Sequence, residues 1–261
     1  MAETSFDLVV IGAGPGGYHA AIRGAQLGLK VAVVEKDDGT GIGGVGGVCL
    51  NWGCIPSKAL LKNAELVTHI KEGDVWGLSF DNFKADMGKA VDRSRKVSAR
   101  LTQGIGYLFR KNKVQLFMGK ATLKSSTQIA VEGGDTLTAK NIVIATGARA
   151  RSLPGLEIDG ETVITSRHAL ELREQPKAIA IVGASAIGCE FAYYFNAYGT
   201  EVMMFEVLNH LVPREDEEVS KELERQFGKQ GIKFALGAKV GGVAKKVMVG
   251  GRSENWKDEV V

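Results

Sequence analysis

Short continuous apolar runs alternate along the chain with segments in which apolar residues recur every three or four positions. Asp7–Ile11 reads as a buried strand and Tyr18–Leu29 as a helix packing through Ala20, Ala21, Ile22, Ala25 and Leu27, with Lys30–Glu35 the next strand. The pattern returns as a strand at Lys177–Val182, a helix at Cys189–Tyr198 and a strand at Thr200–Glu206. Between the copies a polar helix is predicted over Asn82–Lys113, its apolar stripe (Val97, Leu101, Ile105, Leu108) facing a core. Val114–Gly119, Gln128–Val131 and Thr136–Ala139 read as short antiparallel strands, and Asn141–Arg149 as another buried strand ending at Thr146-Gly147. Pro154 and Gly155 read as a linker, which divides the chain near Ala150 into domains 1–150 and 151–261.

Each strand-to-helix handover carries glycines. Gly12, Gly14 and Gly17 form a G-x-G-x-x-G turn: Gly12 for the tight bend, Gly14 for approach to a pyrophosphate, Gly17 for helix–strand packing. The helix start would hold the phosphates. Glu35, 18 positions after Gly17, would accept ribose hydroxyls. In the second copy Gly183, Ser185 and Gly188 take the same places and Glu206 the same offset, with Ser185 replacing the middle glycine. Strand, glycines, helix, strand and acid in order predict an α/β fold of two Rossmann-like dinucleotide-binding domains, the second incomplete. Two such sites suggest an electron relay between flavin and nicotinamide. Glu206 argues for NAD over NADP, since a carboxylate repels a 2′-phosphate.

Composition narrows the partners. A net charge of +3 over 261 residues, 44% of them hydrophobic, suits an ordinary globular chain and gives no reason to expect nucleic acid as partner. No apolar run approaches the ~20 residues of a membrane span. The N-terminus has no basic and apolar leader pattern, so a cytoplasmic location and no membrane association are expected.

Three cysteines are too few and too odd in number for a disulfide framework. Cys49 and Cys54, in CLNWGCIPSK, suggest a metal half-site, a staple or a redox pair. Zinc usually needs four ligands, and the four histidines are scattered. A staple over so short a loop would stabilise little. The redox reading is favoured because Pro56 suits the opening of a helix over Ser57–Lys71, and a helix start with Lys58 nearby favours thiolate. Cys189 is expected to be a buried packing residue.

Together, Cys49–Lys58, Gly12–Gly17, Ala145–Gly147 and Gly183–Glu190 resemble the pyridine-nucleotide disulfide oxidoreductases, to about Val240, and CLNWGCIPSK is most similar to their dihydrolipoamide-oxidising branch. The resemblance implies FAD in the first site and NAD in the second. Cys49 would be the interchange thiol, Cys54 the charge-transfer thiol against the flavin, and the two would form a disulfide. Lys58 would lie near the flavin N5, paired with Glu190. Gly119, Ala121, Ala145, Thr146 and Gly147 would join the FAD site, and Val240 would lie by the NAD adenine. The partner implied is dihydrolipoamide carried on 2-oxo acid dehydrogenase complexes or the glycine cleavage system, within a homodimer. A sister reductase acting on another disulfide or on mercuric ion, and a truncated nucleotide-binding module, are the alternatives.

Three features depart from the family pattern. Val48 stands where threonine is usual, and the link Asp37–Gly47 is long. Family members also continue into a further domain bearing a His–Glu acid/base pair. None of His19, His69, His168 and His210 has that context, so slow turnover of dihydrolipoamide by this chain alone is expected.

Overall fold

The computed structural model describes residues 4–36 and 44–242. In chain order the elements are β1 (Ser5–Ile11), α1 (Pro15–Gln26), β2 (Val31–Glu35), α2 (Gly47–Trp52), α3 (Cys54–Lys71), α4 (Met87–Lys111), β3 (Gln115–Met118), β4 (Ala121–Leu123), β5 (Gln128–Val131), β6 (Thr136–Ile144), α5 (Ser166–Ala169), β7 (Ala178–Val182), α6 (Ala186–Tyr198), β8 (Glu201–Glu206), α7 (Glu217–Lys229) and β9 (Lys233–Leu236).

The chain forms two compact units, residues 1–57 with 93–149 and residues 58–92 with 150–261. The units meet in sequence at Arg149/Ala150, beside the division drawn from the linker, but they are not continuous as that division assumed. Residues 58–92 go with the second unit because Leu60, Ala64 and Val67 of α3 and Met87, Ala90 and Val91 of α4 share one core with Leu170, Phe195 and Met204. An apolar stripe shows that a helix packs; it does not say against what.

In the first unit a six-stranded sheet runs β3-β2-β1-β6-β5-β4. β1 pairs in parallel with β2 and β6, and β2 in parallel with β3, while β4 and β5 add an antiparallel edge. Both faces of the parallel part are covered, so its strands are nearly continuous in apolar residues. Leu8, Val10, Val31 and Val33 pack on one side; Val9, Ala32 and Val34 pack on the other.

Four expectations change here. β3 is parallel rather than antiparallel, because it returns from the long helix α4 instead of a hairpin turn. The runs Thr136–Ala139 and Asn141–Arg149 are a single strand, β6, that ends at Ile144. Its last four residues are half-buried or exposed rather than buried. The helix expected from Asn82 begins at Met87, and its expected stripe is displaced: Phe109 is buried but Leu101 is 41% exposed, while Ser94 and Ser98 are buried.

In the second unit β7-β8-β9 form a parallel sheet. Helix α6 supplies Tyr194 and Phe195 to its core, both essentially inaccessible. Its αL cap at Gly199, φ 97°, lets the chain turn directly into β8.

Candidate functional site

Each strand–turn–helix handover is held tight by two glycines. Gly12 and Gly183 lie at φ 104° and 98°, a region that disfavours side chains. A Cβ at Gly17 would stand 1.7 Å from the Gly12 carbonyl oxygen, and one at Gly188 2.1 Å from that of Gly183. Gly14 and Ser185 are the N-caps of α1 and α6, with matching extended backbone (φ −73°, ψ −176° and φ −70°, ψ 178°). Ser185 therefore adopts the fingerprint conformation without strain. Neither residue makes a side-chain cap, which leaves first-turn N–H groups suited to a phosphate.

The two acids occupy equivalent positions. Glu35 Oε2 accepts the Ala13 N–H at 2.5 Å, and Glu206 Oε2 accepts the Ala184 N–H at 2.7 Å. Glu206 Oε1 also accepts the Leu208 N–H at 2.9 Å, and the residue is only 8% exposed. Both carboxylates thus brace the turn, a task additional to the ribose contact expected of them.

The other residues expected at the first site sit at the carboxyl ends of the strands. Ala145 N–H donates to Ile11 O at 2.8 Å, and Ala145 O would be 2.3 Å from a Cβ on Gly12. Gly119 N–H donates to Glu35 O at 2.8 Å, with Ala121 two residues on, opening β4. Thr146 and Gly147 follow the end of β6 and are exposed. In the second unit Val240 is half-buried in the segment after β9.

The cysteine segment is more ordered than its sequence suggested. Cys49 lies inside the short helix α2, which periodicity could not reveal in six residues, and Cys54 is the first residue of α3 rather than preceding it. Between them a Cβ on Gly53 would be 3.4 Å from Cys49 Cα. At the other end of α2, a Cβ on Gly47 would meet Gly14 Cα at 2.6 Å. The cysteine segment is therefore seated on the first glycine turn. Both residues are present as thiols, Cys49 half-buried and Cys54 exposed. Tyr18, which sequence reasoning passed over, shares their surroundings: burial first, then the charges of Cys49 and Cys54, raise the pKa of its hydroxyl. Its place immediately after Gly17 was the available signal.

In the second unit Lys58 of α3 and Glu190 of α6 form an ion pair, as expected from the sequence. Cys189 is buried as expected, and burial pushes its thiol up to about 11. The histidines have local partners: His19 with Pro15 O, His69 with Glu65, His168 with Thr165 and His210 with Glu224. Among the described residues no helix is long and apolar enough to cross a membrane. The long link at Asp37–Gly47 falls largely outside the described residues.

Comparison with known proteins agrees with this geometry. The family described as pyridine nucleotide-disulphide oxidoreductase matches residues 6–254. A dihydrolipoyl dehydrogenase of Chlorobaculum parvum is 43% identical over 247 residues, covering 93% of this chain and 51% of the relative. One from Mycobacterium leprae is 47% identical over 246 residues, covering 91% of this chain and 51% of the relative. Among solved structures, LpdA of Mycobacterium tuberculosis superposes with a TM-score of 0.81 at 26% identity, over 94% of this chain and 53% of that one. The HOCl-induced flavoprotein disulfide reductase RclA of Escherichia coli gives 0.76 at 27% identity, over 91% of this chain and 50% of that one. The chain spans about half the length of the curated relatives it matches.

Proposed function

Because the chain belongs to the pyridine nucleotide-disulphide oxidoreductase family, whose membership implies binding of FAD and NAD(P), we propose that it carries the dithiol and both dinucleotide sites of an enzyme oxidising dihydrolipoamide with NAD⁺. The observation that supports this most is the seating of α2 on the first glycine turn, Gly47 against Gly14, which sets the cysteines beside the FAD fingerprint. The residues fit the cofactors: α1 and α6 start without a side-chain cap, and Gly14 and Ser185 share one extended backbone at those starts.

When bound, FAD supplies a two-electron relay between dithiol and nicotinamide. The chain's own part is thiol exchange. A dihydrolipoamide thiolate attacks the Cys49 sulfur of the Cys49–Cys54 disulfide, and Cys54 leaves as thiolate. The second substrate thiol then displaces Cys49, releasing lipoamide and leaving two thiols on the protein, one proton being lost for each thiolate formed. Cys54 is exposed at the start of α3, where the leaving sulfur is accessible. Lys58, held by Glu190, is the cation assigned to the flavin. Glu206 favours NAD⁺ over NADP⁺.

Reconstitution of the 261-residue chain with FAD tests the reading. Dihydrolipoamide should produce a long-wavelength thiolate–flavin absorbance that Cys54→Ser abolishes and that Cys49→Ser, in which no disulfide forms, shows before any reductant is added. Equal spectra in both variants would overturn the assignment, and faster reduction by glutathione than by dihydrolipoamide would overturn the substrate.

A further inference from the structure

The helix that carries Cys49 is only six residues long, too short to be stable by its own hydrogen bonds. Polar side chains from α4 hold it. Arg95 Nη1 donates to the Asn51 carbonyl at 2.6 Å, and its guanidinium lies 4.8 Å from the centre of the Trp52 ring. A cation thereby meets the carbonyl end of α2, where the helix leaves acceptors unsatisfied. Asn51, 3% exposed, donates through Nδ2 to Val45 O (3.0 Å) and Gly47 O (3.1 Å). Its Oδ1 accepts the Thr102 hydroxyl at 3.0 Å. Both ends of α2 are thus tied to α4 through Asn51.

We infer that Arg95, Asn51 and Thr102 form a clamp that positions Cys49 for Cys54 and so sets the dithiol–disulfide equilibrium of the pair. The inference rests on the redox reading of Cys49 and Cys54. A disulfide needs its two Cβ atoms within a narrow range of distance and dihedral angle. A clamped α2 presents Cys49 in a narrow set of positions before the bond forms. Without the clamp, α2 gains conformational freedom mainly in the dithiol state, because the disulfide restrains it in the other. Loss of the clamp therefore favours the dithiol. They hold α2 through the Asn51 carbonyl, the Asn51 side chain and the Trp52 ring.

The test is the fraction of Cys49–Cys54 disulfide in glutathione redox buffers, read by alkylation and peptide mass on the 261-residue chain. Arg95→Met should shift the equilibrium about tenfold toward dithiol, which is about 30 mV. Arg95→Lys, which keeps a cation but not the guanidinium over Trp52, should fall between Arg95→Met and wild type. Thr102→Val should shift it the same way by a smaller factor, and it serves if Arg95→Met does not fold. Leu137→Ala, in the core on the sheet face opposite Val10 and Phe109, should lower thermal stability and leave the equilibrium unmoved. A wild-type midpoint in Arg95→Met and Thr102→Val, or an equal shift in Leu137→Ala, overturns the clamp while the redox pair stands. If wild type forms no Cys49–Cys54 disulfide in any buffer, the redox reading fails and the clamp with it.

Discussion

Glu206 accepts the backbone N–H of Ala184 at 2.7 Å, across 22 residues, and thereby ties the end of β8 to the glycine turn that opens α6. Glu35 and Ala13 repeat the contact in the other unit over the same interval. An acid read from sequence as a ribose acceptor is also a structural brace, which alters what its substitution should do.

Glu206→Arg should therefore do more than exchange NAD for NADP. It strands the N–H groups of Ala184 and Leu208 in a site only 8% exposed. The expected loss is about 1–3 kcal/mol for the buried donors, seen as a lower unfolding midpoint, together with weaker NAD⁺ binding by calorimetric titration. Glu206→Gln, which keeps an acceptor, should retain most of the stability. Equal stability of Glu206→Arg and wild type would show that the brace carries no weight.

Gly17→Ala and Gly104→Ala should act in opposite directions within one unit. The first forces a Cβ to 1.7 Å from the Gly12 carbonyl, while the second meets nothing within 4 Å on helix α4. Denaturant unfolding should show Gly17→Ala destabilised by at least about 1–3 kcal/mol. Gly104→Ala should be stabilised by about 0.4–1 kcal/mol.

Thiol labelling should distinguish the cysteines. With its pKa near 11, Cys189 at pH 8 is thiolate in only about one molecule in a thousand, besides being buried. After mild reduction, iodoacetamide should modify Cys49 and Cys54 in the folded chain and Cys189 only after unfolding. Early modification of Cys189 would contradict its packing role.

The second unit should be weakened by alkali. Burial raises Cys189 from 9.0 to about 11 and Tyr198 from 10.0 to about 12, and raises Tyr194 as well. The fold thus favours the protonated forms. Its stability is intact below the unfolded values and declines as pH rises from about 9 towards 12, where the unfolded chain holds fewer protons. Unfolding midpoints measured across that range should fall, and Cys189→Ala should reduce the fall near pH 9–11.

Glu190→Gln should cost little stability. Lys58 is 62% exposed and Glu190 26%, and such pairs contribute about 0–1 kcal/mol. A change in the spectrum of bound flavin without a change in unfolding midpoint would identify the pair as functional. A large loss of stability would identify it as structural.

The sequence by itself determined both βαβ units, because apolar runs, glycines and acid follow one another within about 30 residues and each has a local cause. Gly12 and Gly183 take left-handed backbone, and Gly17 and Gly188 have no room for a Cβ. It also determined the pairing of Lys58 with Glu190 through family resemblance, and the burial of Cys189. The tertiary structure alone decided which core residues 58–92 join, since Leu60 and Val91 would suit any apolar partner. It decided that β3 runs parallel to β2, which depends on the return from α4. And it decided how Cys49 is held. Arg95 and Thr102 lie 44 and 51 residues from Asn51, on a helix face that periodicity marks as polar, and only folding brings a polar face against a six-residue helix that cannot stand alone.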